Sequence, residues 1–346
     1  MQKGIKILIR LIEASFILLF LLSVIFYHLV TYGIDQGIGQ LKIVWNARPV
    51  ADVMSDASVS DSIKAKLLLM DEIKNFAVDS LGMKPTKNYT TFYDQQGKSI
   101  LWVLTASEKY RLQPYHWTFP VVGKVSYKGF FNFEKGKREE KKMSMEGFDT
   151  DFHSTSAWST LGWFRDPILS NFLNKSEGQI AELIIHEMTH ATLYVKSNVD
   201  FNENLASAIG EEGAEEFLTY KYGDSSGALN DFRHRNEDYN RYASHMLSGT
   251  KRVDSLYQSF TSADNEETKQ KQKQRMIKEI ISSLDTVSFH QKERYRKLFD
   301  DRLPNNSYFL GFTRYDAQKE KMKKELKEKF QKNINRYLND LKDKYK

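Results

Sequence analysis

An α+β, mainly helical fold is what this sequence predicts, with an N-terminal transmembrane helix ahead of an ectodomain that carries a small sheet. Three observations predict it: a charge-free apolar stretch near the N-terminus, apolar residues at helical spacing over most of the remaining chain, and short β-prone runs between Tyr89 and Phe133.

From Ala14 to Ile34 there are 21 residues without Asp, Glu, Lys or Arg. At a rise of about 1.5 Å each they span roughly 30 Å, the thickness of a hydrocarbon core. Lys3, Lys6 and Arg10 precede the stretch, and only Asp35 and Lys42 follow closely. The positive-inside rule therefore places residues 1–13 in the cytoplasm, 14–34 in the cell inner membrane as a single-pass anchor, and the rest on the periplasmic or extracellular side. Tyr27 and Tyr32 would mark the outer interface. A cleaved signal peptide fits less well, because Tyr32-Gly33-Ile34-Asp35 offers no small-x-small cleavage site.

Residues 36–82 read as helices, with Ile63, Leu67, Leu68, Ile73, Phe76 and Ala77 at mostly three- to five-residue spacing. The β-prone runs are Tyr89–Tyr93, Ile100–Leu104, Phe119–Tyr127 and Gly129–Phe133, broken by Gly, Pro and Lys. Helical patterning returns after Pro167, with polar insertions at Gly223–Gly227 and Ser262–Gln274, and the charged run Lys269–Arg275 reads as a solvated helix face. We divide the chain into an ectodomain over 35–320 and a charged amphipathic helix over 321–346. That helix carries a stripe of Met322, Leu326, Phe330, Ile334, Leu338, Leu341 and Tyr345, better suited to docking on the domain than to lying on a membrane.

Composition narrows the chemistry. The 51 Lys+Arg and 45 Asp+Glu are dispersed and leave a net charge of only +6, which does not describe a nucleic-acid binder. With no cysteine, disulfides, thiolate nucleophiles and Cys-bound zinc are excluded, so a metal must sit on His and carboxylate ligands. The strongest motif is His186-Glu187-Met188-Thr189-His190, preceded by Leu183, Ile184 and Ile185. On a helix, residues four apart differ by about 40° in azimuth, so both imidazoles leave one face a turn apart and can grip one ion. Glu187 projects beside them, in the position of the general base of HExxH zinc hydrolases. For either histidine alone, a satisfied core position would be the better reading; the pair with Glu187 between them argues otherwise. His116, His153, His234, His245 and His290 lack any such spacing.

Catalytic zinc takes three protein ligands and leaves a position open. An H-x-x-G-x-x-H extension is absent, since Leu193 and Lys196 stand where it needs Gly and His. Glu203, in a helix-like segment reaching about Tyr222, completes a His, His, Glu set of the thermolysin type. Glu212 lies nearly opposite Glu203 on that helix, whereas 207 and 210 share its face. Glu211 or Glu212 is left as a hydrogen-bond partner of a ligating histidine, as a carboxylate that captures a substrate amine, or as plain surface.

These blocks resemble the bacterial predicted aminopeptidase family. The likeness runs in order from about residue 35 to 320: Gly39-Gln40-Leu41 with Arg48-Pro49-Val50; Phe119-Pro120-Val121 to Ser126-Tyr127-Lys128-Gly129; Ala157-Trp158-Ser159-Thr160-Leu161-Gly162-Trp163-Phe164 with Asp166-Pro167; the HExxH segment through Phe201-Asn202-Glu203; and Leu303–Ser307 with Tyr315. Thr118 stands where a family cysteine is expected, and a helical anchor replaces a lipid-modified cysteine. The resemblance implies a zincin-like, gluzincin-type metallopeptidase holding one zinc on His186, His190 and Glu203. Glu187 would be catalytic, and Tyr315, or else Tyr308, would donate to the oxyanion. The segment from Ser159 to Phe164 would wall a cleft and pair with substrate backbone. The expected activity is zinc-dependent peptide-bond hydrolysis of a peptide or protein substrate. An envelope endopeptidase and a non-catalytic metal-binding scaffold are the alternatives, and the ligand set also accepts manganese or cobalt.

Overall fold

In the computed structural model, residues 2–120, 123–155, 165–196 and 198–345 are described, less a few side chains that include that of Tyr315. The expected segment Ser159–Phe164 lies outside them. Two N-terminal helices, α1 (Gln2–Ile25) and α2 (Tyr27–Asn46), lead into β1 (Arg48–Pro49), α3 (Val50–Ser55) and α4 (Asp61–Asp79). Then come β2 (Thr91–Tyr93), β3 (Trp102–Ser107), β4 (Trp117–Phe119), β5 (Gly123–Val125), β6 (Lys128–Phe130), α5 (Phe133–Met145), β7 (Asp149–Ser154) and β8 (Ile168–Leu169). The remainder is helical: α6 (Glu177–Thr192), α7 (Val199–Tyr222), α8 (Gly227–Gln258), α9 (Glu266–Ser282), α10 (Lys292–Arg296), α11 (Asn306–Tyr315), α12 (Lys319–Phe330) and α13 (Ile334–Lys344). The fold is thus mainly helical with β structure, but among the described residues the expected single sheet is three small ones: β1-β2-β8, an antiparallel β6-β3-β7, and the hairpin β4-β5.

One core packs α4, α6, α7 and the start of α8 with α12 and α13; Ile73, Ile180, Ile184, Ile185, Ile209 and Phe217 are fully enclosed in it. A second gathers the later part of α8 with α9, α10 and α11 around Met246, Ile280 and Phe309. A third lies under the β6-β3-β7 sheet.

The anchor differs from expectation. The apolar stretch does not form one helix over 14–34: the chain breaks at Phe26, and the two helices meet at 92°. Among the described residues no single helix is long and apolar enough to cross a membrane, though the bent pair meets the length and composition test jointly. Tyr32, expected at the membrane interface, instead donates to Gly129 O at 2.9 Å and stacks on Phe119. Asp35 pairs with Lys135, and Gly39 lets the helix lie against the Phe131 ring, which a Cβ would overlap. Helix α2 is therefore fastened to the β region along one side, while α1 exposes Leu11, Phe16 and Ile17 to 60% or more.

The C-terminal stripe is two helices rather than one. Gln331 and Lys332, both at positive φ, reverse the chain, so Met322 and Leu326 of α12 and Ile334, Leu338 and Leu341 of α13 enter the first core. Lys273 is a further departure, since it is buried and paired with Asp149 while also donating to Lys109 O.

Candidate metal centre

Helix α6 starts on a capping box: Ser176 Oγ accepts from Gln179 N, and Gln179 Oε1 accepts from Ser176 N at 3.1 Å. Ile180, Ile184, Ile185 and Met188 then bury one side of the helix, leaving Glu182, His186 and His190 on the other. Helix α7 crosses close to it because Gly210 faces it: a Cβ there would stand 2.8 Å from Glu182 O and 3.2 Å from His186 Cβ. Gly213, where a Cβ would stand 2.9 Å from both Ile185 and Leu81, continues the close approach.

Glu203 sits in the first turns of α7 between two buried asparagines with different tasks. Asn202 exchanges two hydrogen bonds of 2.8 Å with the backbone of Val195, fixing the connection from α6. Asn204 donates to Asp200 O and, at 2.6 Å, to Arg314 O, and accepts from Gln318 N at 2.7 Å, so the α11–α12 junction is tied to the residue beside Glu203.

The structure brings together the three expected ligands. His186 Nε2 and His190 Nε2 are 3.2 Å apart, and Glu203 Oε2 lies 3.4 Å from the first and 3.6 Å from the second. The edges of a tetrahedron with zinc–ligand bonds of about 2.0–2.1 Å measure about 3.3 Å, so this donor set fits such an ion. Burial works to raise the Glu203 carboxyl, but hydrogen bonds from both histidines, together with their charge, hold it down to about 2. Burial works to lower His186; its bond to Glu203 and the charges of Glu187, Glu203 and Glu182 outweigh this and raise it. Glu187 is raised, chiefly by burial and despite the nearby histidines, and so holds a proton more readily than an ordinary carboxylate. The His190 ring is kept by packing against His186 and Tyr194, its Nδ1 being buried with no partner among the described residues.

Other expected residues fall elsewhere. Glu211 binds Lys323 at 2.6 Å, Lys319 at 3.4 Å and Asn240, and Glu212 binds Lys323 and Lys332 at 3.4 Å; neither bonds a histidine among the described residues. Tyr308 shares a hydrogen bond of 2.7 Å with the Tyr242 hydroxyl at the second core. Tyr315 ends α11, and its side chain is outside the described set.

Sequence reasoning missed Glu182, one turn before His186 and 3.5 Å from Arg235, and also Arg314, whose Nη2 donates to Ser126 Oγ at 2.6 Å. The i−4 spacing from His186 was a signal for Glu182; nothing local marked Arg314.

A family model described as "Putative aminopeptidase" matches residues 31–344, and the chain belongs to that family. The match takes in α12 and α13. No curated protein and no solved structure matches the chain.

Proposed function

We propose that this family member is a membrane-anchored zinc metallopeptidase, with His186, His190 and Glu203 as ligands and Glu187 as general base. The observation that carries the reading is the convergence of three donor atoms from α6 and α7, all within 4.8 Å of one another, in a chain of a peptidase family. Zinc held there would lower the pKa of a water and polarise the scissile carbonyl. Glu187, on the same helix as both histidine ligands, takes the proton of the attacking water and returns it to the leaving amine. Its raised proton affinity suits that exchange, since a carboxyl too acidic to hold the proton could not deliver it.

The lipid-facing part of the reading rests on α1, whose Leu11, Phe16 and Ile17 stand exposed among the described residues. Lys3, Lys6 and Arg10 then assign the N-terminus to the cytoplasmic side and the metal centre to the other.

Glu187→Gln should keep the metal and lower turnover by about 10²- to 10⁴-fold, whereas His186→Ala should lose both. Elemental analysis beside chelator-sensitive cleavage of a fluorogenic peptide library decides it. A metal-loaded Glu187→Gln protein with undiminished turnover would sink the mechanism.

A further inference from the structure

Most cations around the centre are answered by carboxylates: Arg233 by Glu215, Arg235 by Glu182, Lys319 by Glu211 and Asp316, and Lys323 by Glu211 and Glu212. Arg314 is different. Its half-buried guanidinium has one described contact, the bond from Nη2 to Ser126 Oγ, and no ion pair among the described residues. A guanidinium carries five N–H donors, and withdrawing one from water without an anion is costly. The serine holds the fork by one corner and leaves the other donors unspent.

Its position supplies the second half of the argument. Arg314 O takes the Asn204 bond, so the base of this side chain is tied to the residue that follows Glu203. Burial chiefly raises the hydroxyl of Tyr127, next to Ser126, and the charges of Glu203 and Arg314 act on it in opposite directions. The Tyr194 ring is 6.3 Å from that of His190. Tyr127 and Tyr194 are themselves 41% and 54% exposed. Glu203 cannot be the arginine's missing partner, since its carboxylate is engaged by the two imidazoles.

We propose that Arg314 captures a carboxylate of the substrate, which makes the substrate class peptides that present a carboxylate close to the scissile bond, either a free C-terminus or an Asp or Glu side chain. This specificity role rests on the hydrolase reading above, and it adds the anion that the donor set leaves unmatched. A planar fork accepts a carboxylate through two parallel bonds, and Ser126 presets its orientation.

The test uses the full-length, metal-loaded protein and matched tripeptides that differ only in a free or amidated C-terminus, or in Glu against Gln beside the cleaved bond. One of the two changes should lower kcat/KM of the wild type by about 10- to 100-fold, mainly through KM, and which one it is assigns the source of the carboxylate. Arg314→Gln should lose the same factor on the charged peptide and nothing on its neutral match, Arg314→Lys should recover part, and Ser126→Ala should lose less than Arg314→Gln. Wild type indifferent to both changes, or an Arg314→Gln deficit equal on charged and neutral peptides, overturns the proposal. Should Arg314→Gln fail to fold, Arg314→Lys and Ser126→Ala carry the same comparison. Calorimetric binding of these peptides to wild type and Arg314→Gln separates the two readings. Carboxylate-dependent, Arg314-dependent binding with no turnover would overturn the hydrolase alone; turnover without carboxylate dependence would overturn the role of Arg314 alone.

Discussion

Helices α1 and α6 are built from much the same apolar side chains and meet opposite surroundings. In α6, Ile180, Ile184 and Ile185 are wholly enclosed, while in α1, Leu11, Phe16 and Ile17 stand open. The apolar side of α6 stabilises a helix whose other side holds two half-buried imidazoles and half-buried carboxylates. Burial of that kind contributes roughly 1.5–3 kcal/mol per large side chain and offsets the cost of desolvating the polar row. Helix α1 leaves its large apolar side chains exposed among the described residues, which is the basis of the membrane reading proposed above. Hydrophobicity alone does not tell these two uses apart; what a helix places on its remaining face does.

That contrast can be broken most severely at Asn204. Asn204→Ala strips partners from three part-buried backbone groups at once and should cost about 3 kcal/mol, with weaker metal binding as Glu203 loses its support. Urea unfolding and metal titration on the same samples measure both effects. Next comes Gly210→Ala, where the gain in helix propensity is set against a Cβ pressed onto Glu182 O. A net loss of about 2 kcal/mol is expected, and a stabilised variant would mean that the two helices are not in close contact.

Glu216, farther along α7, sharpens the comparison from the electrostatic side. Burial, helped by Glu212, pushes its carboxyl up to about 7 from an ordinary 4.5. The folded chain then holds this proton more tightly than the unfolded one, so stability falls as pH rises from about 4.5 to 7. Glu216→Gln should gain about 1 kcal/mol at pH 8, after allowing for partial exposure, and nothing at pH 4. The smallest effect on stability belongs to α1: Phe16→Gln should leave unfolding within about 0.5 kcal/mol of wild type while reducing recovery in the membrane fraction. A clear loss of stability there would show that α1 packs on protein after all.

These expectations also mark where the sequence was readable. His186, Glu187 and His190 were legible because a helix is a local object, and its period alone sets which residues share a face. Glu203 followed from chemistry, since a two-histidine grip needs a third ligand and a helix-like segment offered one. Arg314 was not legible, because its meaning depends on Ser126, 188 residues away, and on Asn204, 110 residues away. Apolar content was read correctly in the first 34 residues, but the break at Phe26 carries no Pro or Gly to announce it. The C-terminal stripe misled for the opposite reason: its periodicity continues across Gln331 and Lys332, whose left-handed backbone divides one amphipathic pattern between two helices. Lys273 shows the same limit within a charged run, where six neighbours of ordinary character concealed a lysine enclosed with Asp149.

The asparagine tie between Asn204 and residues 314–318 also fixes an order of events. Both histidines and Glu203 are synthesised early relative to the segments that brace them, and the ring of Tyr345 closes on Phe201, two residues before Glu203. While the chain is still being made, both histidines and Glu203 exist but the turn that aims Glu203 is unsupported. Assembly of the three-donor cluster is thereby deferred until more than a hundred further residues have arrived.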